Sequence, residues 1–214
     1  DGRLYAWGVN TYGQLGDGTT TNRSTPVGVS SLTTGAIVIA TADSHSCALT
    51  AAGGVKCCGA NTNGQLGDGS TATRLTPVDV SGLAGGVAAI AAGDNHTCAL
   101  TAAGGVKCWG QNSAGQLGDG STVPRLTAVD VVGLTGGVAS ITTGGSHTCA
   151  LTATGGVKCW GSNGSGQLGD GSSTNRSTPV DVNGLASGVS AIDAGRSHSC
   201  VLTAAGGVKC WGYN

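Results

Sequence analysis

The chain has 214 residues, of which 41 are Gly, none is Phe or Met, and only 3% are aromatic. Ten Lys plus Arg against eleven Asp leave a net charge of −1, which excludes the clustered positive charge that nucleic acid or an anionic membrane surface requires. No apolar run reaches the length of a membrane span, so any core must be built from Ala, Val, Leu and Ile.

Glycine this dense without a Gly-X-Y period would suggest low complexity. Here the glycines fall at fixed offsets between short apolar runs, which is how an all-β repeat punctuates its turns. No signal peptide is visible. Without a Met the chain cannot begin at its own start codon, so residue 1 is expected to be a cut or processed end.

The chain opens on Leu4-Tyr5-Ala6-Trp7-Gly8, a short strand. The residue before that closing Gly recurs as Cys58, Trp109, Trp160 and Trp211, a step of 51 (58 − 7). Gly-Gln-Leu-Gly-Asp-Gly returns at 13–18, 64–69, 115–120 and 166–171, and His45, His96, His147 and His198 keep the same step. One repeat domain spans 1–214, with repeats at 8–58, 59–109, 110–160 and 161–211. Residues 1–7 are then a leftover closing strand of a preceding blade.

Within one copy, Gly59 to Arg74 reads as a loop. Thr76-Pro77-Val78-Asp79-Val80 reads as a short edge strand, because Pro lacks a ladder donor. After the Gly85-Gly86 turn, Val87 to Ala92 is an apolar strand. Gly93-Asp94-Asn95 then turns the chain into a hairpin running from His96 to Gly110. Short strands with regular turn signals at this period predict blades of a β-propeller, with the hairpin as the outer half of each blade.

The order Gly-Gln-Leu-Gly-Asp-Gly, Arg, Thr-Pro-Val, Ala-Gly-x-x-His, Ala-Leu-Thr, Trp-Gly resembles the regulator of chromosome condensation repeat family along the whole chain. The resemblance implies seven-bladed propellers, so four copies are expected to be part of a larger ring. Leu4 to Trp7 is expected to lack a hairpin partner, either because this is a segment of a longer ring or because neighbouring chains complete it. The family's founding member is a nuclear exchange factor for a small GTPase, and the fold also serves a secreted bacterial β-lactamase inhibitor. Fold therefore does not choose the function.

Each of the last four hairpins carries two cysteines: Cys47/Cys57, Cys98/Cys108, Cys149/Cys159 and Cys200/Cys210. A three-residue loop such as Ala102-Ala103-Gly104, with Gly in a left-handed bulge position, places the two directly opposite, within disulfide range. We expect four disulfides, and hence an oxidising compartment: a secreted or cell-surface protein. Zinc is the competing reading, since His96, Cys98 and Cys108 share a face, but the spacing matches no zinc signature and a fourth ligand is missing. The family keeps the His without the cysteines, which implies a structural His45, His96, His147 and His198, bonded to backbone between strands. Cys58, at a Trp position, is left as an odd thiol, read as a tolerated substitution with a cavity cost and alternatively as an intermolecular bridge.

Asp17, Asp68, Asp119 and Asp170 each precede Arg23, Arg74, Arg125 or Arg176 by six residues. One Asp per loop is too few for calcium, so a turn role with the Arg as partner is expected. Trp7, Trp109, Trp160 and Trp211 are expected to pack between blades. Asn22, Asn95, Asn163 and Asn175 begin Asn-x-Ser/Thr glycosylation patterns. A Ser-His-Asp set from Asp43, Ser44 and His45 fails, because neighbours on a strand face opposite ways. No enzymatic activity, cofactor or metal is expected.

The leading expectation is an extracellular scaffold that binds a protein or glycan through its Asn-x-x-Gly-Gln-Leu-Gly-Asp-Gly loops, which are the family's usual binding surface. The alternative is a subunit of an extracellular fibre or surface layer, assembled through open blade ends. Exchange-factor activity comes last, and neither nucleic acid nor membrane insertion is expected.

Overall fold

The computed structural model describes residues 3–32 and 35–214, and every element in it is a strand or a turn. Strands β1 (Tyr5–Gly8) and β2 (Arg23–Gly28) form a two-stranded sheet. The first whole sheet holds β3 (Ala36–Thr41), β4 (His45–Thr50), β5 (Val55–Gly59) and β6 (Arg74–Asp79). The second holds β7 (Val87–Ala92), β8 (His96–Thr101), β9 (Val106–Gly110) and β10 (Arg125–Asp130). The third holds β11 (Val138–Thr143), β12 (His147–Thr152), β13 (Val157–Gly161) and β14 (Arg176–Asp181). A last sheet of three comprises β15 (Val189–Ala194), β16 (His198–Thr203) and β17 (Val208–Gly212). All pairings are antiparallel and sequential, as a meander of short strands with tight turns requires.

One expectation shifts. The His-to-Gly hairpin is the middle pair of each four-stranded sheet, not its outer half: β7 flanks β8 on one side and β10 flanks β9 on the other. The reason lies in the edge strand, which pairs back onto the hairpin that precedes it, Val129 opposite Cys108 and Arg125 opposite Gly110. A sheet thus takes three strands from one sequence repeat and its fourth from the next. For the same reason β1, which has no hairpin partner among the described residues, is paired on its other edge: Ala6 lies opposite Val27 of β2.

The turn of each hairpin is a three-residue loop. Thr101 N donates to Gly105 O at 2.8 Å and Gly104 N to Thr101 O at 2.9 Å. Gly104 sits at φ +79°, a left-handed conformation that glycine adopts without penalty. Counting back from this bonded pair, Cys98 and Cys108 fall on a non-hydrogen-bonded pair, where backbones approach most closely. In the edge strand β6 the register breaks between Arg74 and Val78, and Pro77 sits inside that irregular stretch where no ladder donor is demanded.

The core lies between sheets. Cys47, Leu49, Val55, Cys57 and Leu66 of the first whole sheet and its loop form one cluster with Ile90, Ala99 and Trp109 of the second. Cys98, Cys108 and Leu117 do the same with Ala150 and Trp160 of the third.

Candidate functional site

The four expected cystines are present: Cys47–Cys57, Cys98–Cys108, Cys149–Cys159 and Cys200–Cys210 each bridge paired strands, with Cα atoms 4.1 Å apart. Each of the first three lies on a face that the next sheet covers, so it staples a hairpin and floors an inter-sheet seam at once.

The histidines complete the seam. His45 is fully buried, and its Nε2 lies 2.9 Å from Thr97 Oγ1 in the next sheet. Thr97 Oγ1 in turn donates to the Gln65 carbonyl at 2.9 Å, and Trp109 Nε1 donates to the same oxygen at 2.9 Å. Because Gln65 O can only accept, the Thr97 proton points to it, and His45 must carry its proton on Nε2. The chain repeats as His96–Thr148–Gln116–Trp160 and as His147–Ser199–Gln167–Trp211. The histidine thus bonds a side chain across sheets rather than backbone between strands. With Nε2 committed to Thr148 and the sulfurs joined to each other, His96, Cys98 and Cys108 form no ligand set.

Nδ1 of His45, His96 and His147 is buried without a hydrogen-bond partner. Desolvation pulls His45 and His147 down to about 4 and His96 to about 3, with neighbouring histidines adding to it for His96 and His147. All three imidazoles are neutral at pH 7. His198, on the uncovered face of the last sheet, is exposed.

Above each seam sits the Gly-Gln-Leu-Gly-Asp-Gly loop, between the third and fourth strands. Asn61 is fully buried in it. Its Oδ1 accepts from Leu66 N at 2.9 Å, while Nδ2 donates to Asp68 Oδ1, Ser70 O and Ala72 O at 3.1 Å each. Asp68 accepts further from Ser70 N and Ser70 Oγ, and its other oxygen receives Arg74 Nη2 at 2.7 Å. Burial alone would raise this carboxyl, but the hydrogen bonds from Ser70, Arg74 and Asn61 outweigh it and hold the pKa below the ordinary value. The same balance lowers Asp119 and brings Asp17 and Asp170 to about 2. Arg23, Arg125 and Arg176 pair with these carboxylates at 2.7 to 2.8 Å.

The loop also reaches the next sheet. Gly69 N donates to Leu126 O at 3.0 Å, and Gly67 leaves the room that Trp109 fills, since a Cβ there would lie 2.7 Å from the indole nitrogen. Most of the motif expected to bind ligands is therefore spent on architecture. Asn10, Asn61, Asn112 and Asn163, Gln14, Gln65, Gln116 and Gln167, and the Thr97–Thr148–Ser199 series are roles the sequence reading missed. The signal was their 51-residue step, shared with the residues that were singled out.

Cys58 is a free, buried thiol, and desolvation pushes it up to about 12. A thiol so placed is protonated and enclosed, which opposes the intermolecular bridge. Trp7 is 62% exposed on β1, where Trp109 and Trp160 are fully buried. Of the glycosylation patterns, Asn163 is buried with Nδ2 engaged, and Asn95 is half-buried and accepts from Gln65 Nε2. Asn22 and Asn175 are exposed, each accepting a backbone N–H at 2.8 Å through Oδ1.

The RCC1-like domain model matches residues 1–214. The ultraviolet-B receptor UVR8 of Arabidopsis thaliana is 34% identical over 99% of this chain and 49% of its own length. Among solved structures, human WBSCR16 superposes with a TM-score of 0.84 at 28% identity, over 98% of this chain and 57% of that one. The ectodomain of the Physcomitrella patens receptor kinase CR4 is 26% identical, with a TM-score of 0.55 over 83% of this chain and 41% of that one. This chain thus spans about half the length of the first of these relatives. On the match along residues 1–214 and the likeness to solved structures, this chain belongs to the RCC1-like domain family of β-propeller scaffolds.

Proposed function

We propose that this chain serves as a non-enzymatic, extracellular binding scaffold that recognises a protein or glycan through one end of its propeller. The observation that carries the reading is where four near-identical repeats diverge. The hairpin turns are Thr-Ala-Ala-Gly-Gly-Val-Lys at 50–56, 101–107 and 203–209, with a single change, Thr154, at 152–158. At the opposite end the repeats differ freely: Val9, Ala60, Gln111 and Ser162; Tyr12, Asn63, Ala114 and Ser165; Asp43, Asp94, Gly145 and Arg196.

These variable positions adjoin one another, since Ala60 N bonds Ser44 O and Gln111 N bonds Asn95 O. Tyr12 is half exposed, and Arg196 reaches across to Asp94 at 3.1 Å. A rigid frame that presents Tyr, Asn, Ser, Gly and Thr on loops suits adaptable hydrogen-bonding recognition. Four cystines support an oxidising location, and the CR4 relative is itself an ectodomain. The test is a glycan array and an extracellular-protein panel probed with the purified chain. Binding lost in Tyr12→Ala or Arg196→Ala but kept in Ala103→Ser is expected; a ligand indifferent to the loop changes sinks the reading.

A further inference from the structure

One seam departs from the construction of the others. At Trp109, Trp160 and Trp211 the indole N–H and a neighbouring Thr or Ser hydroxyl share one Gln carbonyl, each at 2.9 Å. In the seam between the β1–β2 sheet and the first whole sheet, Cys58 stands where those tryptophans stand. Its register opposite Ser46 matches that of Trp109 opposite Thr97. Among the described residues, the Gln14 carbonyl there receives only the Cys58 thiol, at 3.7 Å.

The walls that elsewhere hold an indole are otherwise kept. Leu15 takes the place of Leu66, Val29 that of Val80 and Gly16 that of Gly67. Leu15 and Val29, together with Gln14, Leu32, Ala48 and Cys58, help bound a mainly apolar cavity of about 60 Å³. The cavity opens partly to solvent, with Tyr5, Ile39, Thr41 and Lys56 also lining it, so a small guest can enter, and an under-used acceptor at its wall rewards a guest that carries one donor.

We propose that this seam is a binding site for a small planar heteroaromatic molecule bearing one ring N–H, of the pyrrole class. The shape argument comes from the three seams in which equivalent walls grip an indole. The acceptor is Gln14 O, the counterpart of the carbonyls that receive Trp109, Trp160 and Trp211. Cys58 contributes a neutral wall and takes no part as a nucleophile. A ligand this small binds at dissociation constants on the order of millimolar.

The experiment titrates the 214-residue chain with pyrrole, and separately with furan, which has the same ring without the N–H. Saturation-transfer NMR reads binding. Pyrrole is expected to bind saturably, and furan about fivefold more weakly, the value of one neutral hydrogen bond. Cys58→Trp, which places the indole itself in the cavity, is expected to abolish both signals. Cys58→Leu gives a second occluded variant should Cys58→Trp fold poorly. Absence of saturable pyrrole binding to the unaltered chain overturns the proposal, as does pyrrole binding that survives both substitutions. Furan binding as tightly as pyrrole overturns the role given to Gln14.

Discussion

The indole nitrogen of Trp109 lies 2.9 Å from the carbonyl oxygen of Gln65, across the boundary between two sheets. Gln65 belongs to the loop above one sheet and Trp109 to the third strand of the next. This contact, with Thr97 on the same oxygen and His45 behind it, fixes one blade against its neighbour.

Trp109→Cys reproduces, in the interior of the chain, the seam that Cys58 makes. Loss of a fully buried indole is expected to cost about 3–5 kcal/mol in urea unfolding. Cys58→Trp runs the other way. Filling roughly 60 Å³ at about 24 cal/mol per Å³, with one hydrogen bond regained, stabilises by about 2–3 kcal/mol. A drop in midpoint for Cys58→Trp would show that the seam has closed around the smaller side chain.

Intact mass without reductant is expected to fall short of the reduced mass by two hydrogens for each of the four bridges. Maleimide should label nothing in the folded protein and one thiol, Cys58, once it is unfolded without reductant. Labelling of Cys58 in the native state would contradict its burial.

Two ion pairs of equal length should differ in worth. Asp68 and Asp79 each accept a cation at 2.7 Å, but the Asp68 side chain is 7% exposed and that of Asp79 is 76% exposed. Asp68→Ala leaves Ser70 N without its acceptor and Arg74 without its carboxylate, and is expected to cost about 2–3 kcal/mol. Asp79→Ala removes a solvated pair with Lys56 worth about 0–1 kcal/mol. Thermal melts of the two variants make the comparison.

Acid should weaken the fold in two stages. His45, His96 and His147 are depressed in the folded chain to about 4, 3 and 4, so only the unfolded chain takes up their protons near 6.5. Stability is whole above about pH 6.5 and declines as pH falls towards 3, each imidazole contributing on the order of 3 kcal/mol. The carboxylates of Asp17 and Asp170, lowered from 3.8 to about 2, add a further loss below about pH 4. His96→Gln should shrink the first stage, leaving the share of His45 and His147, and leave the second unchanged. Urea midpoints measured from pH 8 to pH 2.5 check both.

Much of this molecule is written in one dimension. A 51-residue step that carries Trp, His and Gly-Gln-Leu-Gly-Asp-Gly together establishes a repeat. Alternation and Gly-bearing turns make it all-β, and the position of Gly104 sets a three-residue loop that brings Cys98 opposite Cys108. Those are local properties, decided by residues within about ten positions of one another, and the chain alone determines them. What it could not supply was the partner of each edge. That β10 folds back on β9, and so makes the hairpin central, depends on the path of a fourteen-residue loop, 111–124, held by Asn112 and Asp119 in contacts that no periodicity displays. The assignment of His45 to Thr97, 52 residues away in the next sheet, likewise needed the seam itself. Each such bond joins neighbours in space that belong to different repeats, and only packing brings them together.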